Sequence, residues 1–327
     1  MGTYRKIMIV VDKEMKHGAA FARGVEFAKK TGAEVLLMLA DYRGALIRAH
    51  SLDKERLRKV IRGYVTIRQR WLNKEVEKLK EQGIRAQATA VWHKPAWEAI
   101  AKHALEHAPD LVIKDVEKTS AVERALFTRA DWHLMRACPA PLLMVHANTQ
   151  SFPKRILAAV DPNHARDKPA ELNDRILDAA LELGRHLDAE VHAAHAYEYV
   201  SASAFIGPEA DARYFAAARQ ERRERFAALC KAHDIPPERM HFQEGSPAVV
   251  IADVAKRIDA GLVVLGSVAR RGLRRIFMGA TAEDILGVVK CDVMVLKPQG
   301  FGGSLQTELE ESAAARGETA IEEEQTT

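Results

Sequence analysis

The chain has 327 residues and a mass of 36.3 kDa, about twice the usual single-domain size, so its length predicts two domains. Hydrophobic residues make up 47% and charged residues 29%, a balance that excludes fibrous, collagen-like and wholly disordered proteins. No apolar run is long enough to cross a membrane. The three cysteines, Cys138, Cys230 and Cys291, lack the paired spacing of a disulfide framework or zinc knuckle. A cytoplasmic protein with no membrane span is expected.

The formal net charge of +4 conceals an asymmetry between the body of the chain and its C-terminal end. From Gly303 onward there are seven glutamates and one arginine, a net of −6, which leaves +10 for the rest. A basic body favours anionic ligands such as nucleotides or phosphorylated metabolites. The tail, 303–327, has few apolar residues and is predicted to be disordered.

The two halves of the chain repeat one another. The segment Lys6–Asp12 corresponds to Arg155–Asp161, each an apolar run ending on aspartate, and Cys138 corresponds to Cys291. The offsets stay between 149 and 156 residues, a drift that loop insertions explain.

Apolar runs and helical spacing alternate along each copy. Strands are predicted in chain order at 6–12, 33–40, 86–92, 110–116 and 141–146, then at 155–161, 189–197, 239–244, 261–266 and 292–297. Helices are predicted at Gly18–Lys30, Leu52–Gln82, Pro95–His107 and Arg129–Ala137, and at Glu283–Val289 in the second copy. This alternation predicts an α/β fold of two tandem doubly wound domains, each with a five-stranded parallel sheet.

The predicted domains span 1–147 and 154–300, with a polar, turn-prone linker at 147–154. The apolar last strands of the two copies suit antiparallel pairing with each other. One chain would then form an intramolecular pseudo-dimer, and further self-association of chains is left open.

Ligands of open parallel sheets bind beyond the carboxyl ends of the strands, where the strand order reverses. Asp12 and Asp161 end the first strand of each copy, so their carboxylates are placed to accept hydrogen bonds from ribose hydroxyls or an exocyclic amine. Capping of the following turn is an equally good explanation of an aspartate there.

The segment after the fourth strand of the second copy combines glycine with basic residues. Gly279 and Thr281 precede the predicted helix, and Arg270, Arg271, Arg274 and Arg275 are available to phosphate oxygens. A solvated basic loop is the alternative. The first copy has Lys114 where the glycine is expected, and no glycine follows it up to Thr128, so binding there is expected to be absent or different in mode.

The chain resembles the tandem universal stress proteins over about residues 3–299. The residues that carry the resemblance are Val91-Trp92-His93 with Pro95, the segments 110–114 and 127–139, and Gly279-Ala280-Thr281-Ala282-Glu283. The resemblance implies a cytoplasmic stress-response protein with no well-defined catalysed reaction.

Family members that bind ATP share a Gly-x-x-Gly, nine residues, Gly-Ser/Thr pattern, and the resemblance implies an ATP site in the second copy with Asp161 facing the adenosine. Gly266 and Gly279 have the required spacing, whereas Ala269 and Ala280 replace a glycine and a hydroxyl residue. The predicted ligand-binding residues are Asp161, Leu265, Gly266, Ser267, Arg270, Arg271, Gly272, Gly279, Ala280 and Thr281.

Four other functions are alternatives to this one. Slow ATP hydrolysis is one alternative, but the sequence has neither the phosphate-binding loop nor the nucleophile elbow typical of hydrolases, so no enzyme is predicted.

A pocket for an apolar or nucleotide-linked metabolite is another alternative, and it would be lined by segments 42–50 and 197–213. Nucleic-acid binding by the basic helix Leu52–Gln82 is disfavoured by its interspersed acidic residues. A metal site from Asp131, His133 and Cys138 with His93 or His103 lacks tight ligand pairing, so no metal is predicted.

Overall fold

The computed structural model of the protein describes residues 4–44, 54–117, 127–146, 152–163, 171–199, 207–267 and 279–302. In the first repeat the elements are, in chain order, β1 (Lys6–Val10), α1 (Ala19–Thr31), β2 (Glu34–Asp41), α2 (Lys54–Glu81), β3 (Ala86–Trp92), α3 (Ala96–His107), β4 (Leu111–Asp115), α4 (Arg129–Ala137) and β5 (Leu142–Val145). The tail 303–327 lies outside the described residues. No helix of the described ranges is both long and apolar enough to cross a membrane.

The second repeat follows the same order of strands and helices. Its elements are β6 (Arg155–Ala159), α5 (Glu171–Leu187), β7 (Glu190–Tyr197), α6 (Pro208–Ala232), a 3-10 turn (Pro237–Arg239), β8 (Met240–Glu244), α7 (Pro247–Arg257), β9 (Leu262–Gly266), α8 (Ala280–Leu286) and β10 (Asp292–Leu296). The α/β fold predicted from the alternation of patterns is confirmed.

The helix predicted at Glu283–Val289 is wrong in its bounds. Helix α8 begins three residues earlier, at Ala280, because the carbonyl oxygen of Gly279 accepts the amides of Ala282 and Glu283 at 2.9 and 3.1 Å. The backbone therefore closes its first helical turn directly after Gly279.

The ten strands of the described ranges form one sheet, in the order β3-β2-β1-β4-β5-β10-β9-β6-β7-β8. Neighbours within each repeat are parallel, whereas β5 and β10 pair antiparallel, with Met144 opposite Val293 and Leu142 opposite Val295. The predicted pairing of the two last strands is confirmed, and it joins the repeats as a pseudo-dimer.

Alternate residues of the strands feed two apolar cores on opposite faces of the sheet. One core contains Ile7 and packs under α1, α2, α5 and α6; the other contains Met8 and packs under α3, α4, α7 and α8. Each parallel sheet is thus covered by helices on both faces, as buried parallel strands require.

Two buried basic side chains cross the seam between β5 and β10. Arg23 of α1 forms a buried ion pair with Asp292 of β10. Lys297, just after β10, donates from Nζ to the carbonyl oxygen of Met135 in α4 at 2.7 Å. Burial lowers the pKa of Lys297 to about 7. The seam therefore joins the repeats by specific polar contacts as well as by strand pairing.

Candidate ligand site at the carboxyl ends of β6 and β9

The strand order of the second repeat reverses between β6 and β9. Strand β6 has β9 on one side and β7 on the other, and Ala159 pairs with Leu265. Asp161 lies two residues beyond the end of β6, and Gly266 is the last residue of β9. Both residues therefore lie at the edge where ligands of this sheet class bind.

The backbone of Asp161 is held by the side-chain amide of Asn173, in the first turn of α5. Oδ1 of Asn173 accepts the Asp161 amide at 2.9 Å, and Nδ2 of Asn173 donates to the Asp161 carbonyl at 3.0 Å. This two-point contact leaves the carboxylate of Asp161 28% exposed, with Oδ1 accepting the Asn163 amide at 3.3 Å. The carboxylate is therefore positioned and still reachable from solvent.

His195 of β7 lies under Asp161 and is buried. Its Nδ1 lies 3.1 Å from the carbonyl oxygen of Val160. Because a carbonyl only accepts, Nδ1 carries a proton. Nε2 then accepts from Nδ2 of Asn163, at 3.0 Å. Both nitrogens of the His195 ring therefore form hydrogen bonds, and these bonds orient the turn after β6.

Packing against α5 favours glycine at position 266. A Cβ placed on it would lie 2.7 Å from Cδ2 of Leu172 and 3.0 Å from Cδ1 of Ile176. The side chains of Leu172 and Ile176 in α5 therefore occupy the space that a Cβ would need, and they would have to shift to admit one. This contact explains the glycine without a ligand.

The other two predicted residues of this strand end face inward. Leu265 is buried in the core. Ser267 is also buried, and its hydroxyl contacts Nζ of Lys297 at 2.9 Å. The sequence signal for this contact is Lys297, a lysine directly after the apolar last strand, whose side chain enters the seam.

Gly279 is the N-cap of α8, and both Ala280 and Thr281 are exposed. A Cβ on Gly279 would meet nothing within 4 Å, and its φ of −59° is open to any residue. The remaining predicted ligand residues, Arg270, Arg271 and Gly272, lie outside the described residues, as do Ala269, Arg274 and Arg275.

The first repeat fills the equivalent position with its own carboxylate. Leu111 pairs with Ile7 as Leu262 pairs with Ile156, so Asp115 corresponds to Gly266. The sequence-based placement of Lys114 at the glycine position is therefore wrong by one residue. Oδ1 of Asp115 accepts the amide of Ala20, in the first turn of α1, at 2.8 Å. Burial raises the pKa of Asp115.

Lys114 closes the same region from the other side. Its Nζ lies 2.8 Å from Oδ1 of Asp131, a fully buried carboxylate whose Oδ2 accepts from the amide and hydroxyl of Thr128. The end of β4 in the first repeat thus carries a self-satisfied ionic network, whereas the equivalent end of β9 in the second repeat has Gly266 in place of Asp115.

The residues that the sequence offered as metal ligands do not form one cluster in the structure. Asp131 pairs with Lys114, the exposed ring of His133 stacks on Trp97 with centroids 5.1 Å apart, and Cys138 is buried. His103 instead lies beside Glu106 and His107 in the last turn of α3, with one ligand atom from each within 4.8 Å of the others. Sequence reasoning missed this group, although its His-x-x-Glu-His spacing was visible.

The basic helix considered for nucleic-acid binding carries part of its charge inward. Arg68 is buried, with its guanidinium 3.2 Å from the ring centroid of Tyr64 and 3.5 Å from Oδ2 of Asp41. Exposed Lys80 pairs with Glu77. The sequence offers segments 42–50 and 197–213 as the lining of a pocket for an apolar ligand, and of these, residues 45–50 and 200–206 lie outside the described residues.

Comparisons with known proteins place the repeats in a family. The sequence profile of the universal stress protein family matches residues 3–146 and again 153–297. The chain is 30% identical over 306 residues to universal stress protein E of Salmonella typhi, covering 92% of this chain and 96% of that one. It is 29% identical to the Escherichia coli K12 protein of the same name, covering 95% and 99%.

Solved structures show the same fold across nearly the whole chain. A functionally unknown protein from Pseudomonas aeruginosa superposes with a TM-score of 0.73 at 24% identity, covering 94% of this chain and 98% of that one. A universal stress protein from Archaeoglobus fulgidus gives a TM-score of 0.58 at 16% identity, covering 90% and 99%. The chain therefore belongs to the universal stress protein family, with two copies of its domain in tandem.

Proposed function

We propose that the protein is a cytoplasmic, ligand-responsive stress-response module whose second repeat binds a phosphate-containing ligand, with ATP as the ligand to test first. The observation that carries the proposal is the partly exposed carboxylate of Asp161, whose backbone is fixed by Asn173 at the reversal point of the strand order. A carboxylate held in this way is preorganised to accept hydrogen bonds from a nucleoside.

The difference between the repeats supports one ligand per chain. Asp115 and Lys114 occupy the strand end of the first repeat, and both are satisfied by protein partners. An anionic ligand there would have to displace a partly buried carboxylate, which electrostatic repulsion opposes. In the second repeat, Gly266 occupies the position equivalent to Asp115, so no carboxylate stands there.

We propose that the phosphates lie towards Gly279, Ala280 and Thr281, with Arg270, Arg271 and Gly272 completing the site. In this arrangement Leu265 and Ser267 support the site from inside, since both are buried. The protein acts by binding rather than by catalysis: His195 has both ring nitrogens engaged and is not placed to serve as a general base.

The test is calorimetric titration of the full chain with ATP, with adenosine and with inorganic phosphate. One saturable site for ATP is expected. Asp161→Asn is expected to weaken ATP and adenosine binding at least about tenfold, because a charged acceptor is lost. Arg271→Ala is expected to weaken ATP binding while leaving adenosine unaffected.

Asp12→Asn is the matched control. Asp12 lies two residues beyond β1 in the first repeat and accepts the Glu14 amide, as Asp161 accepts that of Asn163. Its substitution is expected to leave ATP affinity within twofold. No saturable response at millimolar ATP, or equal losses in the two aspartate variants, would contradict the proposal. Phosphate release above background would contradict the non-catalytic part alone.

A further inference from the structure

The last turn of α3 carries a group of metal-ligand side chains that the proposed nucleotide site does not use. His103 and His107 are four residues apart and therefore lie on one helix face, with Glu106 beside them. Their ring centroids are 5.7 Å apart, and one ligand atom from each of the three residues lies within 4.8 Å of the others.

The hydrogen bond of His103 prepares it as a ligand. Nδ1 of His103 lies 3.1 Å from the carbonyl oxygen of Ala99, one turn earlier. The carbonyl only accepts, so the proton is on Nδ1, and a neutral ring has its lone pair on Nε2. A backbone carbonyl that orients the non-ligating nitrogen is the usual support of a metal-bound histidine.

The position in the helix also favours a cation. Helix α3 ends at His107, and the partial negative charge of a helix C-terminus attracts positive charge. Two lysines lie nearby: exposed Lys102 precedes His103, and Nζ of Lys6 donates to the His107 carbonyl at 3.0 Å, away from the ring nitrogens.

The fold itself does not demand these side chains. Helix α7 is the equivalent helix of the second repeat, since Pro247 corresponds to Pro95, and its residues Pro247–Arg257 include no histidine. The second repeat therefore completes its equivalent helix without either histidine, so the cluster is specific to the first repeat.

From this geometry we propose that His103, Glu106 and His107 form a binding site for a zinc-class divalent transition-metal ion, with a fourth position open to water or an external ligand. Two imidazoles and a carboxylate are a donor set that Zn²⁺ prefers. A tetrahedral zinc ion holds two nitrogen ligands about 3.3 Å apart, given Zn–N bonds of about 2.05 Å. Rotation of partly exposed side chains brings the donors to that separation.

The proposal concerns binding alone. The His-x-x-Glu-His spacing also occurs in a class of zinc peptidases, in which the glutamate serves as a base. Here the glutamate is exposed at the end of a helix and is assigned as a ligand.

The test uses the full chain without a histidine tag, freed of metal by a chelator and titrated with Zn²⁺ against a chromogenic competitor. One bound equivalent per chain is expected. His103→Ala and His107→Ala are each expected to lower zinc affinity at least about tenfold, and Glu106→Gln by a smaller factor. With Co²⁺ in place of Zn²⁺, the protein is expected to show the visible absorption bands of a cobalt ion with a low coordination number. These bands are expected to be lost in the histidine variants.

His133→Ala is the control, because His133 is an exposed histidine on the neighbouring helix that stacks on Trp97 and has no place in the cluster. It should leave zinc affinity unchanged. Failure to retain zinc against the competitor, or a loss of the same size in His133→Ala, would overturn the proposal. If circular dichroism shows that His103→Ala does not fold, His107→Asn decides the question in its place. Loss of ATP binding in Asp161→Asn leaves this test unaffected.

Discussion

Arg23 in the first repeat forms a buried ion pair with Asp292 in the second, across the seam where β5 meets β10. Arg23 is 4% exposed and Asp292 is 0% exposed. The other carboxylate oxygen, Oδ1 of Asp292, accepts the backbone amide of His146 at 2.9 Å. One aspartate thus fixes both a helix and the end of a strand of the other repeat.

Asp292→Asn is expected to destabilise the protein by about 3–5 kcal/mol, because it leaves a buried guanidinium without its carboxylate. The free energy of unfolding in urea measures this. All four tryptophans, Trp71, Trp92, Trp97 and Trp132, lie in the first repeat, so their fluorescence reports that repeat while far-UV circular dichroism reports both. In the variant, the two transitions are expected to separate.

Glu283→Gln is the matched control for this prediction. Glu283 also pairs across the repeats, with Arg136 at 2.7 Å, but the two side chains are 34% and 29% exposed. Its loss is expected to cost at most about 1 kcal/mol. Equal losses in the two variants would show that burial of the Arg23 pair does not determine its contribution.

Gly266→Ala is expected to destabilise the protein by about 1–3 kcal/mol, through overpacking against Leu172 and Ile176. Gly279→Ala is expected to cost at most about 1 kcal/mol, because open space surrounds that position and only the N-cap preference for glycine over alanine is lost. Thermal unfolding of both variants without ligand measures the difference. Similar stabilities would show that the side chains of Leu172 and Ile176 make room for the added methyl group without loss of packing.

A pair of histidines on β7 and β8 predicts a loss of stability in acid. Nδ1 of His192 lies 3.1 Å from Nε2 of His241. Burial, with the charge of a protonated His192, lowers the pKa of His241 from 6.5 to about 4. The unfolded chain takes up this proton near pH 6.5 and the folded chain only near pH 4, so stability falls as the pH falls between these values.

His241→Gln is expected to flatten this dependence. Unfolding free energies in urea at several pH values between 7.5 and 4.5 measure it, and the wild-type curve should be the steeper of the two. Parallel curves would show that His241 does not remain neutral in the folded chain over that range.

The strands and their antiparallel seam were predictable from the sequence because they depend on local pattern and on repetition. Short apolar runs alternate with helical spacing in both halves, and Cys138 and Cys291 precede equivalent strands. The start of α8 was not predictable in this way, because the helix closes on a glycine N-cap with no side-chain capping signal.

The side chains of the candidate site were harder to predict, since their contacts join residues far apart in the chain. Ser267 faces Lys297, and Gly266 faces Leu172; neither relationship has a local signature. Asn173 and His195, which hold the turn around Asp161, were missed for the same reason. The spacing of His103 and His107 was visible, because both lie on one helix.

The covalent connection between the repeats releases the protein from the symmetry of a dimer. In a two-fold homodimer every interface contact occurs twice, so a substitution changes both copies. Here the symmetry counterparts of Arg23 and Asp292 are Ala179 and Pro141, which cannot form an ion pair. The Arg23 pair is consequently made once. Each half of the chain is free to specialise, so that closing one strand end with Asp115 leaves the other strand end unchanged.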